Sequence, residues 1–220
     1  MKLKTQLLIA FFISLLSLLA FSVMALFVRR NTIVSFDNII ISSIQGVEAP
    51  WLTGIMRFFT FIGDTIPVII LSLISLFLLY KVLNHRAELI LFIAVILGAN
   101  ILFLTLKMVF QRARPDLHRL AEASNYSFPS GHATMAFALY GVLTFILWRH
   151  INTSFKRTIH ILISLVVILS IGVSRIYLGV HYPSDILAGY FISAFWLMLA
   201  IGFFQRYKDR RKKKVSIPTG

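Results

Sequence analysis

Residues 7–28 form a run of 22 amino acids without one charged side chain. The hydrocarbon core of a bilayer is about 30 Å thick, and roughly 20 apolar residues in a helix are needed to cross it. In hydrocarbon the backbone has no water to bond, and a helix satisfies its own N–H and C=O groups within one segment. Five further stretches read as spans on the same ground: 66–83, 89–106, 133–148, 159–178 and 186–204. The expected fold is therefore an all-α polytopic membrane protein, with six transmembrane helices in one domain over residues 1–220. Lys2, Lys4 and the sequence Val23-Met24-Ala25 resemble parts of a signal peptide. The apolar run exceeds the roughly 7–15 residues of such a peptide, so it reads as a retained anchor.

Composition agrees and removes other classes. Hydrophobic residues make up 58% of the chain, charged residues 14%, and cysteine is absent. Disorder, disulfide scaffolds and cysteine-based zinc or redox sites are excluded. The net charge of +14 would suit nucleic acid, but the basic residues fall mostly in loops and in the tail, where a membrane protein keeps them for topology. No nucleic acid and no obligate protein partner are expected; the surroundings are the bilayer.

Six spans put both termini on one side. That side carries 14 of the 22 Lys/Arg residues, seven of them in a basic tail over about 205–220. The excess of Lys and Arg places both termini in the cytoplasm. The run Arg210–Lys214 reads either as an anchor on anionic lipid or as a solvated tail. The two long loops, 29–65 and 108–132, then face outward. Residues 31–61 mix Ile, Phe and Trp51 with polar residues and break at Gly46 and Pro50. They read as short interfacial helices with Trp51 at headgroup depth, against an ordinary extracellular connection.

Eight cations face outward, where topology does not require them. Lys107 closes span three, Arg114 follows seven residues later, and Arg175 ends span five. If these spans pack together, three like charges converge, and burial worsens their repulsion. Such a cluster persists with an anion or with acidic partners, for which Asp116, Glu122 and Asp185 are candidates. Arg and Lys together are also what a phosphate site uses. Directly before span four, Phe128-Pro129-Ser130-Gly131-His132 offers a Gly for close backbone approach and a Ser that can cap the helix or donate its hydroxyl. The helix start aims free N–H groups outward. The third piece runs from Ser174 and Arg175 to His181 and Asp185. A carboxylate four residues after a histidine lies one helical turn away. It can fix the tautomer and aim the other ring nitrogen. His85, His150 and His160 lie away from this cluster, and His118 stays undecided on the outer loop. Arg112 and Arg119 are further donors on which a mono- or diphosphate preference would depend.

Charge counting places all three pieces on one face. Two histidines, one carboxylate, three cations and a Gly-containing helix start are the parts for phosphoryl transfer to histidine. No second carboxylate arrangement suits paired metals. Spans one, two, three and six have no ionisable residue near mid-depth, which disfavours a transport pathway.

Lys107-x6-Arg114-Pro115, Pro129-Ser130-Gly131-His132 and Ser174-Arg175-x5-His181-x3-Asp185 together resemble the three-part signature of the type 2 phosphatidic acid phosphatase superfamily. The membrane branch that includes bacterial phosphatidylglycerophosphatases and undecaprenyl diphosphate phosphatases is the nearest in layout. The resemblance implies that His181 is the nucleophile and becomes phosphohistidine. It implies that Asp185 orients His181, and that His132 protonates the leaving oxygen and then activates water. Lys107, Arg114, Ser130, Gly131 and Arg175 would bind the phosphoryl group. It further implies a lipid phosphate substrate, no cofactor and no divalent metal, with vanadate or tungstate as phosphate mimics. The spans argue against the soluble haloperoxidase activity found on the same pocket.

Overall fold

In a computed structural model of the chain, residues 3–82, 86–116, 118–123 and 125–215 are described, and no strand occurs among them. The helices are α1 (Leu3–Arg29), α2 (Val34–Gln45), α3 (Pro50–Ile62), α4 (Thr65–Phe77) with a π-helical continuation (Leu78–Val82), α5 (Arg86–Phe110), α6 (Gly131–Trp148), α7 (Ser154–Tyr177) and α8 (Pro183–Val215). Five of them, α1 and α5 to α8, are long and apolar enough to cross a membrane. Thr65–Lys81 and α3, joined at a 52° bend, make a sixth if the bent pair is one span. Five of the six expected spans are thus found as single helices, and the second falls on α4 and its π-helical turn, which reach that length and hydropathy only together with α3. Lys2, the end of that span at Leu83, His85 and residues 216–220 of the tail lie outside the described residues.

Two expectations are refined. The stretch 31–61 is helical, as α2 and α3, and both helices pack against α7. The basic tail over about 205–220 is helical as far as Val215, where α8 ends. Lys and Arg are good helix formers. Lys208 also pairs with Glu88 at 2.8 Å, and Lys213 with Asp209 at 3.0 Å one turn away.

Packing follows from small residues rather than from hydrophobicity, since lipid tails are as apolar as Leu. The buried stripe of α1 is Ala10, Ser14, Ser17, Phe21, Ala25 and Val28, at helical spacing. This stripe lies against α8, where Ser14 Oγ donates to the Phe195 carbonyl at 3.2 Å. The other faces of α1 expose Leu8, Phe11, Phe12 and Leu16, as a lipid-facing helix should. At the core, α6 touches α5, α7 and α8; Ala133, Ala136, Ala138, Leu139, Val142 and Ile146 have no exposed surface. The start of α6 is thereby held by three neighbours.

Phe21, Ala25 and Val28 of α1 cluster with Phe128 and with Ala188 and Ile192 of α8. The end of α5, the start of α6, the end of α7 and the start of α8 therefore share one end of the bundle. The start of α1 and the end of α8 lie at the other. After α7 the chain turns at Gly179, whose φ of +71° is left-handed. A Cβ there would also strike the His118 carbonyl oxygen. Gly189 lets α8 approach the signature loop, since a Cβ would come within 2.9 Å of the Ser130 carbonyl.

Gly179→Ala should lower the unfolding midpoint in detergent by several degrees, from a left-handed strain of about 1–2 kcal/mol plus the clash. Gly54→Ala, in α3 with open space around it, should match or exceed the parent midpoint. A thermal scan in which Gly179→Ala unfolds with or above Gly54→Ala would contradict this account of the turn.

Candidate active site

The three sequence pieces meet at one cavity of about 950 Å³. Its polar end is formed by Lys107, Arg114, Gly131, His132, Arg175 and His181, with Asp64 and Glu122 also on the wall. From there it runs between α4 and α5, past apolar residues such as Val68, Leu73, Ile96 and Leu97. The cavity thus joins a cationic pocket to an apolar slot.

His181 lies in the turn between α7 and α8 and is 2% exposed. Its Nδ1 faces Asp185 Oδ2 at 3.3 Å, and its Nε2 faces Arg114 Nη1 at 3.2 Å. A guanidinium has no acceptor. Nε2 can meet it only as the acceptor, so the proton belongs on Nδ1, facing the carboxylate. That tautomer leaves the Nε2 lone pair on the cavity side, where Arg114 donates to it. Burial lowers the His181 pKa to about 4; Asp185 opposes this, while Arg114 and Arg175 add to it. The imidazole is therefore neutral at pH 7. Arg114 is itself pulled below its ordinary value, first by burial. Its Nη1 donates to the Val180 carbonyl at 2.7 Å and its Nε to the Asn125 carbonyl at 3.0 Å. These bonds tie the long loop before α6 to the His181 turn.

His132 stands in the first turn of α6, and its Nε2 is buried. Among the described residues neither this atom nor the buried Arg175 Nε has a hydrogen-bond partner. The Arg175 Nη1 donates to Thr60 Oγ1 at 3.3 Å. Ser130 caps α6: its Oγ accepts from the Ala133 N–H at 3.4 Å, and its own N–H donates to the Asp185 carbonyl at 3.0 Å. Of the sequence-predicted residues, Ser130 and Asp185 stand behind the cavity wall and the other six line it.

Of the acids weighed as partners for the cations, Asp116 and Glu122 are exposed. Asp185 is wholly buried and bonded to His181 and to Arg112. Arg112 is not the spare donor that the sequence suggested. It bridges Asp185 Oδ1 at 2.7 Å and Asp37 Oδ2 at 2.8 Å, with the Tyr182 ring 3.9 Å from its guanidinium carbon. Arg119 donates to the Pro115 carbonyl. His118 lies apart, paired with Glu48 at 3.4 Å on the exposed surface.

Sequence reasoning missed Asp37. This α2 residue has no exposed surface and accepts from Arg112, from the Ser184 N–H at 2.9 Å and from the Ser184 hydroxyl at 2.7 Å. It anchors Arg112 and the start of α8, and through them Asp185. Thr60, bonded to Ser174 and Arg175, was missed too. Neither stands within a motif, and an Asp in a loop between spans gives no sign of burial.

A multi-pass membrane protein with a cationic cavity, an aimed neutral imidazole and an apolar slot has the form of an enzyme acting on phosphate carried by lipid. The chain belongs to the PAP2 superfamily, whose model matches residues 88–209, and so to a family of membrane lipid phosphatases. It is 30% identical to phosphatidylglycerophosphatase B of Bacillus subtilis over 201 residues, 89% of this chain and 96% of that one. It is 30% identical to an Escherichia coli protein provisionally named an undecaprenyl-diphosphatase, over 64% of this chain and 68% of the other. The crystal structure of a transmembrane PAP2-type phosphatidylglycerolphosphate phosphatase from Bacillus subtilis superposes with a TM-score of 0.75 at 28% identity, covering 88% of this chain and 96% of that one.

The pKa of His181 has a consequence for stability. Between about 4 and the ordinary 6.5, the unfolded chain binds a proton that the folded chain refuses. Stability therefore falls as pH is lowered through that window. The unfolding midpoint of the parent should drop more steeply from pH 6.5 to 4 than that of His181→Asn. Parallel curves for the two proteins would show that His181 is not held neutral by its surroundings.

Proposed function

We propose that this protein removes the terminal phosphate from a lipid phosphate or diphosphate at the outer face of the membrane, through a phosphohistidine at His181. The observation that carries the reading is the His181 geometry: one ring nitrogen on Asp185, the other toward a cavity that three cations line. In the first step the Nε2 lone pair forms a P–N bond while the P–O bond to the lipid breaks, and His132 gives its proton to the leaving oxygen. In the second, His132 takes a proton from water, the oxygen attacks phosphorus, and the P–N electron pair returns to Nε2 as phosphate leaves. Lys107, Arg114, Arg175 and the first N–H groups of α6, from Gly131 onward, would hold the equatorial oxygens as charge builds on them. Ser130 contributes by fixing that helix start.

The outer-face assignment rests on the Lys/Arg excess on the side of the termini, the end of the bundle opposite the site. The substrate class rests on the apolar slot, which accepts a chain while the headgroup meets the cations, and on the relatives' names, phosphatidylglycerophosphatase and undecaprenyl-diphosphatase. Burial of CH₂ groups supplies affinity without taking part in the chemistry. Metal independence belongs to the same proposal: three cationic side chains supply the positive charge that a metal otherwise brings to phosphoryl transfer.

Phosphate release from lipid substrate in detergent should persist in EDTA and be blocked by vanadate or tungstate. His181→Ala and His132→Ala should each lose at least about 10³-fold in kcat while keeping the parent's elution profile and unfolding midpoint. Parent-like turnover by a folded His181→Ala variant would refute the mechanism, and loss of activity in EDTA would refute metal independence.

A further inference from the structure

Beyond Thr65 and Lys107 at its polar end, the slot between α4 and α5 is apolar except at two positions. On α4 the cavity-lining residues are Thr65, Val68, Ile69, Ser72 and Leu73; on α5 they are Ile96, Leu97, Asn100, Phe103 and Lys107. Both sets recur at three- and four-residue spacing, so each is one helix face. Ser72 and Asn100 put a hydroxyl and a carboxamide into a wall that is otherwise hydrocarbon.

Neither polar group has a hydrogen-bond partner among the described residues. A serine within a membrane helix ordinarily donates back to the carbonyl one turn earlier. Ser75 does so to Leu71 at 2.7 Å, and Ser22 to Leu18 at 2.8 Å. Ser72 does not: it is 8% exposed, and its Oγ has no hydrogen-bond partner among the described residues. Asn100 is half-buried, and its carboxamide makes no hydrogen bond among them. Unmet polar groups at this depth are costly, and both line the same cavity.

Their depth limits what they can meet. Asn100 precedes Lys107 by seven residues, roughly 10 Å along the helix at 1.5 Å per residue. In a glycerolipid the terminal phosphorus and the ester carbonyl are separated by five to eleven bonds, about 6–14 Å when extended at common bond lengths. In a polyprenyl diphosphate, bare hydrocarbon begins about 5 Å from the terminal phosphorus. At the level of Asn100 the first lipid presents carbonyl oxygens and the second presents nothing that can hydrogen-bond.

We propose that Ser72 and Asn100 form a subsite for the ester-linked glycerol backbone of the substrate, and that they make this protein select glycerolipid phosphates over polyprenyl diphosphates. The Asn100 N–H and the Ser72 O–H donate to the ester carbonyls while the phosphate rests among Lys107, Arg114 and Arg175. This selection rests on the phosphatase reading above and narrows its substrate class.

The test compares kcat/KM for phosphate release in one detergent from three lipids: diacyl phosphatidylglycerol phosphate, its dialkyl ether analogue without carbonyls, and undecaprenyl diphosphate. The parent should prefer the ester lipid to its ether analogue by about tenfold, the size of one or two lost hydrogen bonds. In Ser72→Ala/Asn100→Leu this ester-to-ether ratio should fall to about one, and the ester-to-polyprenyl ratio should fall about tenfold. Because each comparison is a ratio within one protein, a general loss of folded enzyme cancels. Ratios unchanged by the substitutions, or a parent indifferent to the carbonyls, would overturn the subsite and leave the phosphatase reading intact. No phosphate release from any of the three lipids by the parent would overturn both.

Discussion

Three cations converge on an imidazole that is itself buried and neutral. Lys107, Arg114 and Arg175 line one cavity with His132 and His181. Like charges brought together away from water repel strongly. The fold holds them there with bonds made elsewhere: Arg114 through the Val180 and Asn125 carbonyls, Arg175 through Thr60. A site held in this state has more to gain from a multiply charged anion than from any neutral ligand, and that gain increases as negative charge builds on phosphoryl oxygens. Burial, with the same positive field adding to it, keeps a second proton off His181, and an imidazole without that proton retains its lone pair for phosphorus.

This arrangement depends on a second layer that catalytic motifs do not encode. Asp185 is buried beside His181, and a lone buried carboxylate is unfavourable. Arg112 compensates it, and Asp37 compensates Arg112, with Ser184 closing the group. The network joins α2, the loop after α5 and the start of α8. The segment between α1 and α4 therefore shapes the site, through Asp37 on Arg112 and Thr60 on Arg175, and its helices α2 and α3 act as braces against α7.

The spans were legible because hydrocarbon imposes a length and a composition, and both survive in the letters. The gathering of Lys107, Arg114, His132, Arg175 and His181 was legible because span ends and charge asymmetry place them on one face before any packing is known. Asp37 was not, since its burial depends on a bridge to Arg112, 75 residues away. Arg112 looked like a spare cation for the same reason. The reach of α8 to Val215 was hidden because hydropathy ends at Phe204 while helix propensity does not. The bend at Gly63 and Asp64 was hidden because α3 and α4 are both apolar and only their packing sets the angle. Ser72 and Asn100 drew no notice in sequence, where a single polar residue in an apolar run is ordinary; the shared slot gives them meaning.

The central claim is that phosphorus becomes bonded to one particular nitrogen. Brief reaction of the detergent-solubilised enzyme with lipid carrying a radiolabelled terminal phosphate, followed by rapid denaturation in base and peptide mapping, tests it directly. The account predicts label on the peptide containing His181, stable in base, lost in acid, and absent from the His181→Ala protein. Label on another residue, or none while the parent turns over at full rate, would contradict it.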